Sequence, residues 1–403
     1  MSFDFTPLAV PDAAAARWTG FPEFNFIGGH NDEASVPVTA LRKALDDVLA
    51  REGSTLGTYY LQSGPLGYRP LREFLAAKQK KYAGMTCDPD EILITSGSLQ
   101  AMDLVNHSLA RSGDTVIVEQ SNYGGTFPKL AKIGAKVETV PVGPNGMDLD
   151  ALEATLARLK AAGVQAKFIY TIPTVHNPTG TIMPLEARKR FVALAQAYGT
   201  PIFEDECYAD LVWSGSRPPS LHALDDQGLV IHIGSFSKNI APALRVGYIA
   251  APWGILSRMV ALKSDAGSGA LEQMALAEYC PTHFDDHLAA LNRALEAKLD
   301  NLIDALTEQF GTSATFTRPP GGIFLWVRLP DPVDTTRLAE IAAAEGVALN
   351  PGREWSWGTD AGHWMRLCFA NPAPETTRRG IEKLAAICHR EFGIPAISAN
   401  QPR

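Results

Sequence analysis

Between residues 92 and 250, short apolar and β-branched runs recur, and stretches of helical periodicity separate most of them. The runs are Ile92–Thr95, Thr115–Glu119, Val137–Val140, Phe168–Ile172, Ile202–Glu204, Leu229–Ile233 and Val246–Ala250. Leu99, Met102, Val105 and Leu109 follow the first run at helical spacing, and helices are expected near 71–82, 148–162 and 184–198. Strands that alternate with helices in this way build an α/β sheet covered on both faces. In an open sheet of that kind, ligands bind beyond the carboxyl ends of the strands.

After about residue 281 the alternation stops. A long helix near 284–310 precedes the apolar segment Gly321–Val327, the strand Trp364–Phe369 and a last helix near 375–391, which suggests a smaller α+β unit. A chain of 403 residues is too long for one ordinary core. Residues 1–50 read as irregular up to a helix from about Val38, with a turn at Gly28-Gly29-His30-Asn31. The expected division is an N-terminal arm (1–50) belonging to the small domain, a large domain (51–283) and a C-terminal small domain (284–403).

Composition narrows the classes. The net charge is −8 and no Lys/Arg run reaches five residues, which argues against nucleic acid or an anionic membrane as a partner. Five scattered cysteines, never at C-x-x-C spacing, disfavour a disulfide framework or a structural zinc site. No apolar run of bilayer-spanning length occurs, and Met1-Ser2-Phe3-Asp4 does not open a signal peptide. The expectation is a cytoplasmic protein with no metal.

Lys238 follows the strand 229–233 in Ser235-Phe-Ser237-Lys238, with Arg245 seven residues on. A lysine whose charge is destabilised by its surroundings condenses with aldehydes, while two hydroxyls and a guanidinium suit a phosphate. Ser96-Gly97-Ser98-Leu99 sits at a strand-to-helix junction, a second place where backbone N–H groups receive anions. In Glu204-Asp205-Glu206, strand alternation turns Asp205 away from its neighbours, so a metal cluster is disfavoured and Asp205 reads as the partner of a buried cation, with Tyr208 on the same side. Asn177-Pro178-Thr179-Gly180 is a turn after 168–172, His176 beside it a packing or hydrogen-bonding residue, and Tyr123 a ring placed to stack on an aromatic ligand or a loop tyrosine. Arg366, among apolar strand neighbours, predicts a bound carboxylate.

Gly97-Ser98, Tyr123, Asn177-Pro-Thr-Gly180, Asp205-x-x-Tyr208, Ser-x-Ser-Lys238 and Arg245, taken in order, resemble the class I/II aminotransferases of the aspartate aminotransferase superfamily. The likeness spans nearly the whole chain. It is nearest to the aminoadipate/kynurenine aminotransferase-like branch and to the effector domains of MocR-type regulators. It implies a pyridoxal-phosphate aminotransferase fold, with a large, mostly parallel sheet domain and a small α+β domain, and a homodimer with sites at the subunit interface. It implies pyridoxal 5′-phosphate held on Lys238, its ring nitrogen paired with Asp205, its phenolic oxygen bonded by Asn177 and Tyr208, and its ring stacked by Tyr123. Ser98, Leu99, Ser235, Ser237 and Arg245 would hold the phosphate, Arg366 with Asn177 the substrate carboxylate, and Gly29 would lie in a segment closing over the substrate. One of Tyr59 and Tyr60, by choice Tyr60, would reach the partner's phosphate. The sequence departs from the pattern at His176, at Gly-Gly-His-Asn, and in the spacing of the Tyr59-Tyr60 pair.

The implied activity is reversible transfer of an amino group between an L-α-amino acid and a 2-oxo acid. The rivals are β-elimination or decarboxylation on the same fold, and a ligand-sensing domain, for which the segment before Gly28 leaves no room for a DNA-binding module. A turn at Asn350-Pro351-Gly352 would aim Trp355 at the substrate; Arg353 either reaches a distal anionic group or is a solvated loop charge.

Overall fold

The computed structural model describes residues 17–395; residues 1–16 and 396–403, which the expected small domain includes, lie outside the described residues. Seven strands form one sheet: β1 (Ile92–Ser96), β2 (Thr115–Glu119), β3 (Lys136–Val140), β4 (Ile169–Thr171), β5 (Ile202–Asp205), β6 (Val230–Ser235) and β7 (Val246–Ala250). Their order is β1-β7-β6-β5-β4-β2-β3. Only β7 runs antiparallel to its neighbours. All seven sequence-derived strands are present, within two residues at each end.

Continuous apolar strands such as Thr-Val-Ile-Val-Glu need cover on both faces. Helix Gly97–Leu109 supplies Ala101, Met102 and Val105 to a core shared with Val116, Val118, Phe203 and Ile231. On the opposite face, Leu149–Ala161 and Leu185–Tyr198 pack Leu152, Leu156 and Phe191 against Ile117, Ile169 and Ile202. The helices start and stop where the sequence provides caps. Asp148 accepts from the Asp150 and Ala151 N–H groups, and Gly199 ends helix 185–198 in the left-handed conformation.

A second, antiparallel sheet of four strands pairs Thr315–Phe316, Phe324–Arg328, Trp364–Cys368 and Asn350–Pro351 in that order. Phe24–Asn25 pairs in parallel with Val347–Ala348, which attaches the N-terminal segment to this part of the chain. The fold is thus α/β, with a large mostly parallel sheet and a smaller α+β portion.

One expected element differs. The helix placed at about 284 begins at Ala270 and runs 41 residues to Phe310, through Pro281. Proline ends many helices because it lacks an N–H and crowds the preceding turn. Here Pro281 faces solvent, while Met274, Leu276 and Tyr279 before it and Phe284, Leu288 and Leu291 after it are all buried. Packing on both sides of the proline holds the helix together. The expected domain boundary at 283/284 falls inside it.

Candidate active site

The carboxyl ends of β1, β2, β4, β5 and β6 open on one side, and the candidate residues gather there. Ser98, Leu99, Tyr123, Asp205, Tyr208, Ser237, Lys238 and Arg245 line a cavity of about 140 Å³. Cys207 and Ile172, not singled out from the sequence, line it too.

Lys238 is half-buried at the cavity. Its Nζ donates to the Gly29 carbonyl and lies 5.9 Å from the centre of the Tyr208 ring. Burial, with Arg366 and Arg245 nearby, pushes its ammonium below the usual lysine range. Asn31 Nδ2 donates to the Lys238 carbonyl at 2.7 Å, so the Gly28–Asn31 turn grips the lysine at both its backbone and its amine.

Asp205 ends β5 with its carboxylate buried. Oδ1 accepts from the Cys207 N–H at 3.1 Å and Oδ2 from the Tyr170 hydroxyl at 2.9 Å. Burial raises its pKa, and these hydrogen bonds oppose the rise. The neighbouring carboxylates point the other way, as strand alternation requires. Glu204 meets His232 at 2.8 Å and Glu206 meets Arg217 at 3.0 Å and Thr174 at 2.6 Å. Among the described residues no His/Cys/Asp/Glu group is arranged to hold a metal.

The anion cradle is made by close approach of backbone. Gly97 has φ 71° and begins helix Gly97–Leu109; a Cβ there would lie 2.1 Å from Arg245 Nη2. A Cβ on Gly247 would lie 2.7 Å from the Ser98 nitrogen. Arg245 donates to the Ser96 and Pro242 carbonyls, each at 3.1 Å, and Ser235 Oγ bonds Ser237 Oγ at 2.9 Å. Two serines, a guanidinium and a helix N-terminus therefore converge on one end of the cavity.

Arg366, which connects to the cavity wall through Asn177 and Tyr208, is 3% exposed. Its guanidinium carbon lies 3.4 Å from the Trp355 ring centre and 3.7 Å from that of Phe324. Nη1 donates to Asn177 Oδ1 at 3.1 Å and Nη2 to Asn350 Oδ1 at 2.7 Å, while Nε is buried without a partner. Burial lowers its pKa to about 10. Asn177 Nδ2 in turn donates to the Tyr208 hydroxyl at 3.2 Å, which links the arginine to the cavity wall. An aromatic-sandwiched guanidinium with an idle donor suits a planar carboxylate.

Arg353, Trp355 and Tyr60 do not line this cavity. Arg353 is turned outward, with its side chain 58% exposed and 3.6 Å from Asp334. Trp355 does face the site, but its ring is spent on Arg366 and, edge-on at 5.9 Å, on Tyr123. Tyr60 lies outside the cavity, lining a separate one of about 210 Å³ with Tyr59, Tyr68 and Gly267. His176 is buried, bonded to Thr179 and 3.2 Å from Glu119, as a packing residue should be.

Sequence reading missed Tyr170, Phe324, Asn350 and Asn31 as contributors. Tyr170 is recoverable from strand register alone: it pairs with Phe203, two residues before Asp205, and so shares its face. The other three approach from chain segments distant in sequence and left no local signal.

The family described as aminotransferase class I and II matches residues 26–384. Among similar proteins, the aromatic-amino-acid aminotransferase 1 of Thermococcus litoralis is 33% identical over 91% of this chain and 88% of its own length. The 2-aminoadipate transaminase of Thermus thermophilus is 33% identical over 89% of this chain and 88% of its own. The kynurenine aminotransferase of Pyrococcus horikoshii, solved with PMP, superposes with a TM-score of 0.86 at 30% identity, covering 93% of this chain and 92% of that one. With a half-buried lysine and an anion cradle on one cavity, and a carboxylate-seeking arginine joined to its wall through Asn177, the chain belongs to the class I and II aminotransferase family and is an aminotransferase.

Proposed function

We propose that Lys238, Asp205 and Arg366 divide the work of a transamination between an L-α-amino acid and a 2-oxo acid. The observation that carries this reading is that Lys238 and Asp205 line one cavity, while Arg366, its Nε without a partner, joins the cavity wall through Asn177 and Tyr208. The cofactor is pyridoxal 5′-phosphate, and the residues present fit it. Gly97 and Gly247 let the Arg245 guanidinium and the Gly97–Ser98 backbone come together at the phosphate end, where any Cβ would push them apart, and Asp205 offers a carboxylate for a protonated ring nitrogen. When bound, the cofactor supplies the aldehyde that takes up the amino group and a ring that accepts electrons from the substrate Cα.

This chain's own groups do the rest. Ser98, Leu99, Ser235, Ser237 and Arg245 hold the phosphate. Asn177 and Tyr208 bond the phenolic oxygen, and Tyr123 covers the ring. Asp205 keeps the ring nitrogen protonated. Arg366 receives the substrate carboxylate, and Asn177 steadies both. Lys238, with its proton affinity reduced by burial, takes the proton from the substrate Cα and returns it. Gly29, on the turn that grips Lys238, closes the substrate side.

No helix among the described residues is long and apolar enough to cross a membrane. We place the protein in the cytoplasm as a homodimer, in which Tyr60 and the cavity beside it face the partner's phosphate; the exposed Tyr59, Tyr60 and Leu99 around the site support that surface. The first test is a panel of amino acids mixed with holoenzyme, scoring loss of the cofactor's visible band and the 2-oxo acid formed. Stoichiometric oxo acid is expected; ammonia release or carbon dioxide instead would favour the eliminating or decarboxylating alternative. Lys238→Ala should retain cofactor non-covalently and lose turnover by orders of magnitude.

A further inference from the structure

Beneath the cavity floor lies a contact that the reading above leaves unused. Tyr170 on β4 and Asp205 on β5 leave the same face of the sheet, and the Tyr170 hydroxyl donates to Asp205 Oδ2 at 2.9 Å. Tyr170 is 1% exposed, and its ring is held edge-on to Phe203 at 5.1 Å, so the phenol has little freedom to turn away. The second oxygen takes the Cys207 N–H, and the Cys207 thiol also bonds the carboxylate. No ion pair to Asp205 is present among the described residues; the titratable groups around it are Tyr170, Cys207, Tyr123, Tyr208 and, farther off, His232. A carboxylate buried in this way without a cation tends to hold a proton. The Cys207 thiol and N–H and the Tyr170 hydroxyl oppose that tendency, and of the two side chains Tyr170 is the one whose donor can be deleted with its ring left in place.

We propose that Tyr170 is a positioning residue that keeps Asp205 ionised before the cofactor arrives and aims its remaining lone pairs into the cavity. The apoprotein then presents a ready anion to the pyridine nitrogen instead of a neutral acid that must first lose its proton. This inference rests on the reading of Asp205 as the ring-nitrogen partner. Tyr170→Phe keeps the ring against Phe203 and deletes one hydrogen bond to a charged acceptor. Removing such a bond should raise the Asp205 pKa.

The experiment is the binding of pyridoxine 5′-phosphate to apoprotein across pH 5 to 9. This probe has no aldehyde, so Lys238 cannot capture it covalently, and no turnover enters the measurement. In Tyr170→Phe the acid-side fall in affinity should move to higher pH by about one to two units, roughly tenfold or more in Kd at the wild-type midpoint. Phe203→Leu, which loosens the same ring but spares the hydroxyl, should leave the midpoint where it is. Superimposable profiles for wild type and Tyr170→Phe, or equal shifts in both variants, overturn the inference. Asp205→Ala separates the two levels. If it binds the probe like wild type, the reading of Asp205 itself fails. If it weakens binding while Tyr170→Phe does not, only the role of Tyr170 fails. Should Tyr170→Phe not fold, incorporation of 3-fluorotyrosine, a stronger phenolic donor, should move the midpoint to lower pH; an unmoved or rising midpoint overturns the proposal.

Discussion

The Trp355 indole lies face-on to the Arg366 guanidinium, with 3.4 Å between ring centre and Cζ, and Phe324 closes the other face at 3.7 Å. The arginine is thereby stripped of water on both sides and has only its edge left for a ligand. Its two terminal nitrogens are steadied by Asn177 and Asn350, and its Nε is open.

Trp355→Leu should therefore weaken carboxylate capture without touching the cofactor. Loss of one desolvated cation–π contact is worth about 1–2 kcal/mol, roughly a 5- to 30-fold rise in KM for amino acids. Arg366→Lys should raise KM further, because an ammonium cannot stack or present a fork. Amines that lack a carboxylate are the control, and steady-state kinetics on both substrate sets is the measurement. Equal losses on both sets would make the sandwich structural.

Gly97→Ala tests the phosphate cradle. The backbone there has φ 71°, and the new methyl would collide with Arg245 Nη2. Left-handed strain costs about 1–2 kcal/mol, and Arg245 must also leave its contact with Ser96. We expect a lower melting temperature and at least about a tenfold weaker Kd for pyridoxal phosphate. Unchanged cofactor affinity would place the phosphate elsewhere.

Apoprotein stability should report the buried lysine. Because burial lowers the Lys238 pKa, the unfolded chain binds its proton more tightly than the native state does. Stability therefore rises with pH between the folded pKa and the ordinary lysine value. Lys238→Met removes this dependence. The apo variant should melt above wild type at neutral pH, with the gap closing as pH approaches 10. A gap that stays constant from pH 6 to 10 would mean that burial does not lower the Lys238 pKa.

Arg353→Ala should do little. A half-exposed arginine beside Asp334 contributes under about 1 kcal/mol. The ratio of kcat/KM between dicarboxylic and neutral amino acids should stay at its wild-type value. A selective loss on acidic substrates would require the loop to swing inward when substrate binds.

Local chemistry made much of this legible in the sequence. Apolar strands bounded by turns announced the sheet, because a strand buried on both faces tolerates little else. Alternation along β5 separated Asp205 from Glu204 and Glu206, since successive side chains must leave opposite faces. Lys238, Arg245 and the Gly97-Ser98 junction stood out because nucleophile and phosphate donors sit next to strand ends, where an open sheet receives ligands. At Pro281 packing outweighed local chemistry: proline's preference for ending a helix was overridden by buried contacts on both sides of it.

What the sequence by itself determined was therefore the succession of elements and the residue types at their carboxyl ends, both of which follow from periodicity and short-range chemistry. Only the tertiary structure decided which of those residues meet. Arg366 acquires Trp355, Phe324, Asn350 and Asn177 from three other segments of chain, and Asp205 acquires Tyr170 from the neighbouring strand. Arg353, two residues from Trp355, is sent outward by the same turn that brings the tryptophan in. Such partnerships depend on strand order, register and the path of loops through space. A contact between residues far apart in the chain leaves no period or spacing by which one sequence could reveal it.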